Sequence, residues 1–167
     1  DGPRADHPDD ELMCQAVRDV IADIDWDCPV HTNYAEHNLG LKTRVSSGLD
    51  WVFDHEDQAI ILEDDCLPDP SFFPYATELL ERYGDDPRIG LISGNNFLRG
   101  HSVDDNSYYF SPDMRIWGWA TWARVWHDFS RQGLNKEWSR DEASAAVSQI
   151  QSPARQKNLI REAERVH

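Results

Sequence analysis

Glu63, Asp64 and Asp65 stand in a row directly behind the apolar run Ala59-Ile60-Ile61-Leu62. Neighbouring carboxylates repel one another and lose hydration when gathered, so a fold gains from such a row only if something positive arrives. A hard divalent cation with oxygen ligands, Mn2+ or Mg2+, meets that demand. The competing reading is a solvated acidic turn, helped by Pro68 and Pro70. The acidic triplet by itself favours the turn, and its surroundings must decide.

The elements around the triplet follow from periodicity. The run before it, with β-branched Ile60 and Ile61, reads as a buried strand ending at a polar edge. Upstream, Leu41, Val45, Leu49, Val52 and Phe53 form the apolar face of a helix entered through Asn38-Leu39-Gly40. Downstream, Ser71 is a suitable N-cap and Pro74 falls in the first turn, where its missing amide donor costs little. Phe72, Ala76, Leu79, Leu80 and Tyr83 give that helix a thick apolar side until Gly84-Asp85-Asp86-Pro87 stops it. Ile89-Gly90-Leu91-Ile92-Ser93 is a further short strand, closed by Gly94-Asn95-Asn96.

Nearer the start, Leu12, Val17, Val20, Ile21 and Ile24 recur at helical spacing behind acidic Asp9, Asp10 and Glu11, which suit a helix N-terminus. Val30 to Tyr34 reads as a short strand. Strand, helix, strand, helix and strand thus alternate from 30 to 93. That order predicts an α/β fold, a mostly parallel sheet flanked by helices. Ligands of such sheets sit beyond the carboxyl ends of the strands. The carboxylates and Gly94-Asn95-Asn96 both follow strands, so they are expected on one side.

Gly100 to Ser107 is polar and loop-like, and Tyr108-Tyr109-Phe110 reads as a strand. Trp117, Trp119, Trp122 and Trp126, from a total of 7 tryptophans, then crowd into one short stretch. Trp119, Trp122 and Trp126 share a helical face. Core packing accounts for such a face as well as a wall for stacking a sugar ring does. From Asp141 to Val166 the chain is polar and helix-friendly, with no evident site.

A formal charge of -15 over 167 residues argues against a general nucleic-acid footprint, which needs a basic face. No apolar run is long enough to span a bilayer, and there is no signal-peptide pattern. Cys14, Cys28 and Cys66 lack zinc spacing and read as reduced thiols, which points to a cytoplasmic chain, at most membrane-peripheral.

Asp1-Gly2-Pro3-Arg4, Ile61-Leu62-Glu63-Asp64-Asp65-Cys66-Leu67-Pro68-Asp69-Pro70-Ser71-Phe72-Phe73, Ile92-Ser93-Gly94-Asn95-Asn96-Phe97 and Trp117-Gly118-Trp119-Ala120-Thr121-Trp122 together resemble bacterial and archaeal glycosyltransferases of the GT-A fold. The likeness is to the family-two-like, hemolysin HlpA-like enzymes and, around the acidic strand, to N-acetylglucosaminyltransferase I. It covers most of positions 1 to 130. The resemblance implies a single partial domain of the nucleotide-diphospho-sugar transferase type over 1–167. It implies an enzyme that moves a sugar from a nucleotide-diphosphate donor, a UDP-sugar, to an acceptor of unspecified glycan, lipid or protein character, with inversion. Carried over, Asp65 and Asp64 would hold the metal, while Asp64 and Glu63 would contact ribose, sugar or metal-bound water. Asp1 would meet a uracil imide, Arg44 would approach the diphosphate, and Gly94, Asn95 and Trp119 would border donor sugar or acceptor.

Set against that family, the chain starts where its second strand ends and stops before the segment that supplies the catalytic base. A domain incomplete at both ends is the expectation, with little or no transferase activity in these residues alone. No catalytic residue is named for that reason. A sugar-phosphate nucleotidylyltransferase is a competing enzyme reading, although its Gly-rich basic loop is not visible. A non-catalytic carbohydrate-binding module built on the tryptophans is the non-enzymatic one.

Overall fold

The computed structural model describes residues 1–96 and 105–132. The polar loop expected from Gly100 lies largely outside these residues, and the helix-friendly stretch Asp141 to Val166 lies wholly outside them. The chain divides into one unit, Asp1–Phe129, and a second, Ser130–His167. All that follows concerns the first unit, apart from the last residues of the helix that begins at Ala123.

The helices fall where hydrophobic periodicity puts them: α1 (Asp10–Ala22), α2 (Leu41–Phe53) and α3 (Phe72–Arg82). Between them run β1 (Gln58–Ile61) and then, after α3, β2 (Ile92–Ser93), β3 (Trp119–Trp122) and α4 (Ala123–Gln132). Ser71 takes the N-cap position of α3, yet its hydroxyl and amide both donate to Asp69 Oδ1, at 2.6 and 2.9 Å, rather than capping the helix. Those two bonds hold the Asp69 carboxyl below its ordinary range.

The sheet corrects the sequence reading. It has three strands in the order β1-β3-β2, and both pairings are antiparallel. The mostly parallel GT-A sheet is therefore not what these residues form. Alternating strands and helices suggested neighbours joined by crossovers, but β3 returns from far along the chain and inserts between β1 and β2, running against both. Val30 to Tyr34 and Tyr108 to Phe110 are not strands either. Trp119 and Trp122 lie on a strand instead of a helical face, because residues 119–122 pair in register with 58–61 across the sheet, just after Gly118 at φ +66°.

The core lies between α3 and the sheet. Phe72, Ala76, Leu79 and Leu80 pack on Ile92, Ala120 and Trp122. Thr121, the buried polar residue of the described core, donates its hydroxyl to the Gly90 carbonyl at 2.7 Å. Trp122 sends its indole N–H to the Leu80 carbonyl at 3.1 Å, and Trp126 reaches Asp50 Oδ1 at 2.8 Å. Arg124 stacks on Trp122, 4.6 Å from the ring centre, and donates to the carbonyls of Tyr83, Gly84, Asp86 and Ile89. Its planar fork suits one guanidinium serving several fixed acceptors. α1 is the exception to all this packing, for none of its residues is buried.

Candidate functional site

Register across the sheet decides what meets what. Ile61 and Ser93 both pair with Trp119, so the carboxyl ends of β1 and β2 flank the entry to β3. The acidic turn after β1, the Gly94-Asn95 segment after β2 and the Trp117-Gly118 segment before β3 thus share one edge. The antiparallel sheet gathers these segments through its central strand. A parallel sheet would have gathered two of them by direct adjacency.

At that edge the Cys66 amide donates to the Glu63 carbonyl at 3.0 Å and closes a tight turn. Glu63, Asp64 and Asp65 are all exposed on it, while half-buried Cys66 points its thiol at Asp65 Oδ1, 3.8 Å away. Asp65 and Cys66 line the mouth of a half-open cleft of about 970 Å³. Gly94, Asn95, Trp117 and Gly118 line it from the other strands, and Phe72 and Ile92 rise into it from the core.

Gly94 is there for packing. Its amide donates to the Gly118 carbonyl at 2.8 Å, and a Cβ would meet Phe72 ring carbons at 2.8 and 2.9 Å and that same carbonyl oxygen at 3.0 Å. Asn95 fixes the rim, its side-chain amide donating to the Trp117 carbonyl and its backbone amide donating to Ser93 Oγ at 3.1 Å. Trp119 itself is half-buried in β3, and the tryptophan that lines the cleft is its exposed neighbour Trp117.

The structure does not bring every candidate to this place. Asp65, Gly94 and Asn95 line the cleft; Asp1, Arg44, Glu63, Asp64 and Trp119 do not. The Asp1 carboxylate accepts from the amides of Gly2 at 2.8 Å and Leu39 at 3.1 Å. Gly2 beside it is buried so tightly that a Cβ would come within 2.5 Å of the His37 nitrogen. Arg44 donates to the Asn33 side chain at 2.9 Å and to the Asn33 carbonyl. Both residues organise the 33–40 segment.

Sequence reasoning missed the aromatic end of the cleft. Tyr75 comes from α3, Tyr83 from its C-cap, and Tyr108, Tyr109 and Phe110 from the loop facing it. Tyr83, Tyr108 and Phe110 pack mutually edge to face, with ring centres 5.8 to 6.4 Å apart. The Tyr83 and Tyr108 hydroxyls are 2.7 Å apart, and Arg82 donates to Tyr108 at 3.2 Å. These bonds pull the Tyr108 phenol down from its ordinary range while the shared bond pushes Tyr83 up. The signal available in the sequence was the Tyr-Tyr-Phe run itself, which alternation presented as a strand.

Among the described residues no group of three or more His, Cys, Asp or Glu side chains is placed to hold a metal ion. A closed protein cage is therefore not built here. Mg2+ and Mn2+ sites that use one or two carboxylates and complete their shell with substrate phosphates need none. Exposed Asp65, with Asp64 on the same turn, is compatible with that kind of site. No helix among the described residues is long and apolar enough to cross a membrane.

No family model matches this chain, and neither a curated protein nor a solved structure matches it.

Proposed function

We propose that the acidic mouth of this cleft is the donor site of a metal-dependent glycosyltransferase, with a nucleotide-diphosphate sugar, a UDP-sugar, as donor. The observation that carries the reading is the shared edge. An exposed carboxylate on the turn after β1, Asp65, opens into the same cleft as the Gly94-Asn95 rim that follows β2. Asp65 and Asp64 would hold Mn2+ or Mg2+ together with the diphosphate oxygens. The ion's chemistry is to offset the negative charge that builds on the diphosphate as the bond to the sugar breaks. Asn95, held at the rim by Trp117 and Ser93, offers a fixed polar edge for sugar hydroxyls.

The test is calorimetric titration of UDP into the purified chain. Binding is expected with Mn2+ and not with chelator, and Asp65→Ala is expected to weaken it by at least about tenfold, roughly 1.4 kcal/mol. Asp65 is exposed, so the substitution leaves the fold intact. UDP binding that ignores both chelator and the substitution, or no binding at all, overturns the donor reading. The aromatic end of the cleft also suits a non-catalytic carbohydrate-binding module, and that reading predicts glycan binding with chelator present and indifference to UDP.

A further inference from the structure

We infer that the aromatic end of the cleft is an acceptor subsite for a neutral saccharide. The assignment rests on the donor reading of the acidic mouth, and it names the class of the second substrate, which the sequence leaves open.

The wall is built before any ligand arrives. Phe110 touches both Tyr83 and Tyr108, yet stays 65% exposed, and Tyr109 beside it is 39% exposed. The Tyr83–Tyr108 hydroxyl pair and Arg82 tie this loop to α3. Rings held in that way lose little freedom when something stacks on them. Trp117, 58% exposed and also lining the cleft, offers a further ring beside Asn95, which donates to its carbonyl.

The oxygen-rich setting selects the occupant. Asp65, Asp69 and Asp113 line the same cleft as these rings. A pyranose has an apolar C–H face to lay on an aromatic ring and a rim of hydroxyls to offer to carboxylates and amides, so it matches both surfaces at once. An acyl chain would strip water from the carboxylates and return no hydrogen bond. An anionic acceptor would meet three carboxylates against the guanidinium of Arg115 in the cleft lining, on a chain of formal charge -15. A neutral sugar escapes both penalties.

The experiment titrates neutral disaccharides, maltose, cellobiose and diacetylchitobiose, into the whole chain with chelator present, following intrinsic fluorescence. A second titration measures UDP with Mn2+ on the same samples. Phe110→Ala and Tyr109→Ala are exposed changes, and circular dichroism checks their fold. Saccharide binding that falls roughly tenfold in either variant, the loss expected of one stacked ring, supports the subsite if UDP affinity stays put. Three outcomes overturn it: no disaccharide binds at millimolar concentration, binding ignores both substitutions, or the substitutions weaken UDP, which would make the wall a nucleobase site. Binding of a decanoyl probe in place of every sugar would overturn it in favour of a lipid acceptor. Failure of the donor reading is seen separately, in the UDP titration of the unsubstituted chain.

Discussion

At the scale of single residues, the cleft depends on a close approach that tolerates no side chain. Gly94 meets the Phe72 ring and the Gly118 carbonyl at distances a Cβ cannot share, and Phe72 is itself held in the core. Gly94→Ala is therefore expected to cost about 1–3 kcal/mol, the usual range for overpacking. Urea unfolding measures this directly, and a loss below about 0.5 kcal/mol, the scale of ordinary surface substitutions, would contradict it. A second residue argument concerns acid. Arg88 donates to both oxygens of Asp86 and holds its carboxyl at about 2, against an ordinary 3.8. The folded value is the depressed one, so the stabilisation is full above the ordinary value and disappears as pH falls through about 2. Asp86→Asn should then be less stable than the parent at neutral pH and should converge on it in that acid window. Parallel stability curves for the two proteins across the window would refute the pairing. Of the residues lining the cleft, Asp65, Gly94 and Asn95 were legible because short apolar runs end just ahead of them. The tyrosines were not, because α3 and a distant loop meet only in three dimensions.

At the scale of elements, hydrophobic periodicity located α1, α2 and α3, since each carries apolar residues at intervals of three and four. The same rule failed at Trp119, Trp122 and Trp126. Their spacing fits a helix, but Ala120 and Thr121 between them are buried as completely as Trp122, a pattern that belongs to a central strand packed on both sides. Periodicity also says nothing of whether an apolar face finds a partner. On α1, Leu12 and Val20 are 74% and 73% exposed. The helix is tied down mainly by polar contacts: Arg4 with Asp10 at 2.7 Å, and Arg18 both to the Ala35 carbonyl and over the Tyr34 ring at 4.7 Å. Helices of this length owe most of their stability to packing, so α1 should exchange its amides well before α3 does. Leu12→Ala with Val20→Ala should shift the unfolding free energy by less than about 0.5 kcal/mol. Exchange as slow as in α3, or a larger loss, would show a packing role for that face.

At the scale of the whole molecule, the class of secondary structure was legible and the connectivity was not. Alternation of strands and helices carries no mark of a strand that returns later to divide its predecessors. That strand, β3, has a consequence for how the molecule is made. β1 and β2 have no hydrogen-bonding neighbour in each other, and the piece that joins them is synthesised after both. While the chain grows, each therefore waits with an unsatisfied backbone edge, the condition in which strands find wrong partners. Arg124, two residues past the strand, then gathers the carbonyls of Tyr83, Gly84, Asp86 and Ile89, all from the stretch leading into β2. One short segment thus completes the sheet and latches the approach to it. A nascent chain halted ahead of Trp117 has α1 to α3 and two orphan strands, and its cleft lacks the Trp117-Gly118 side.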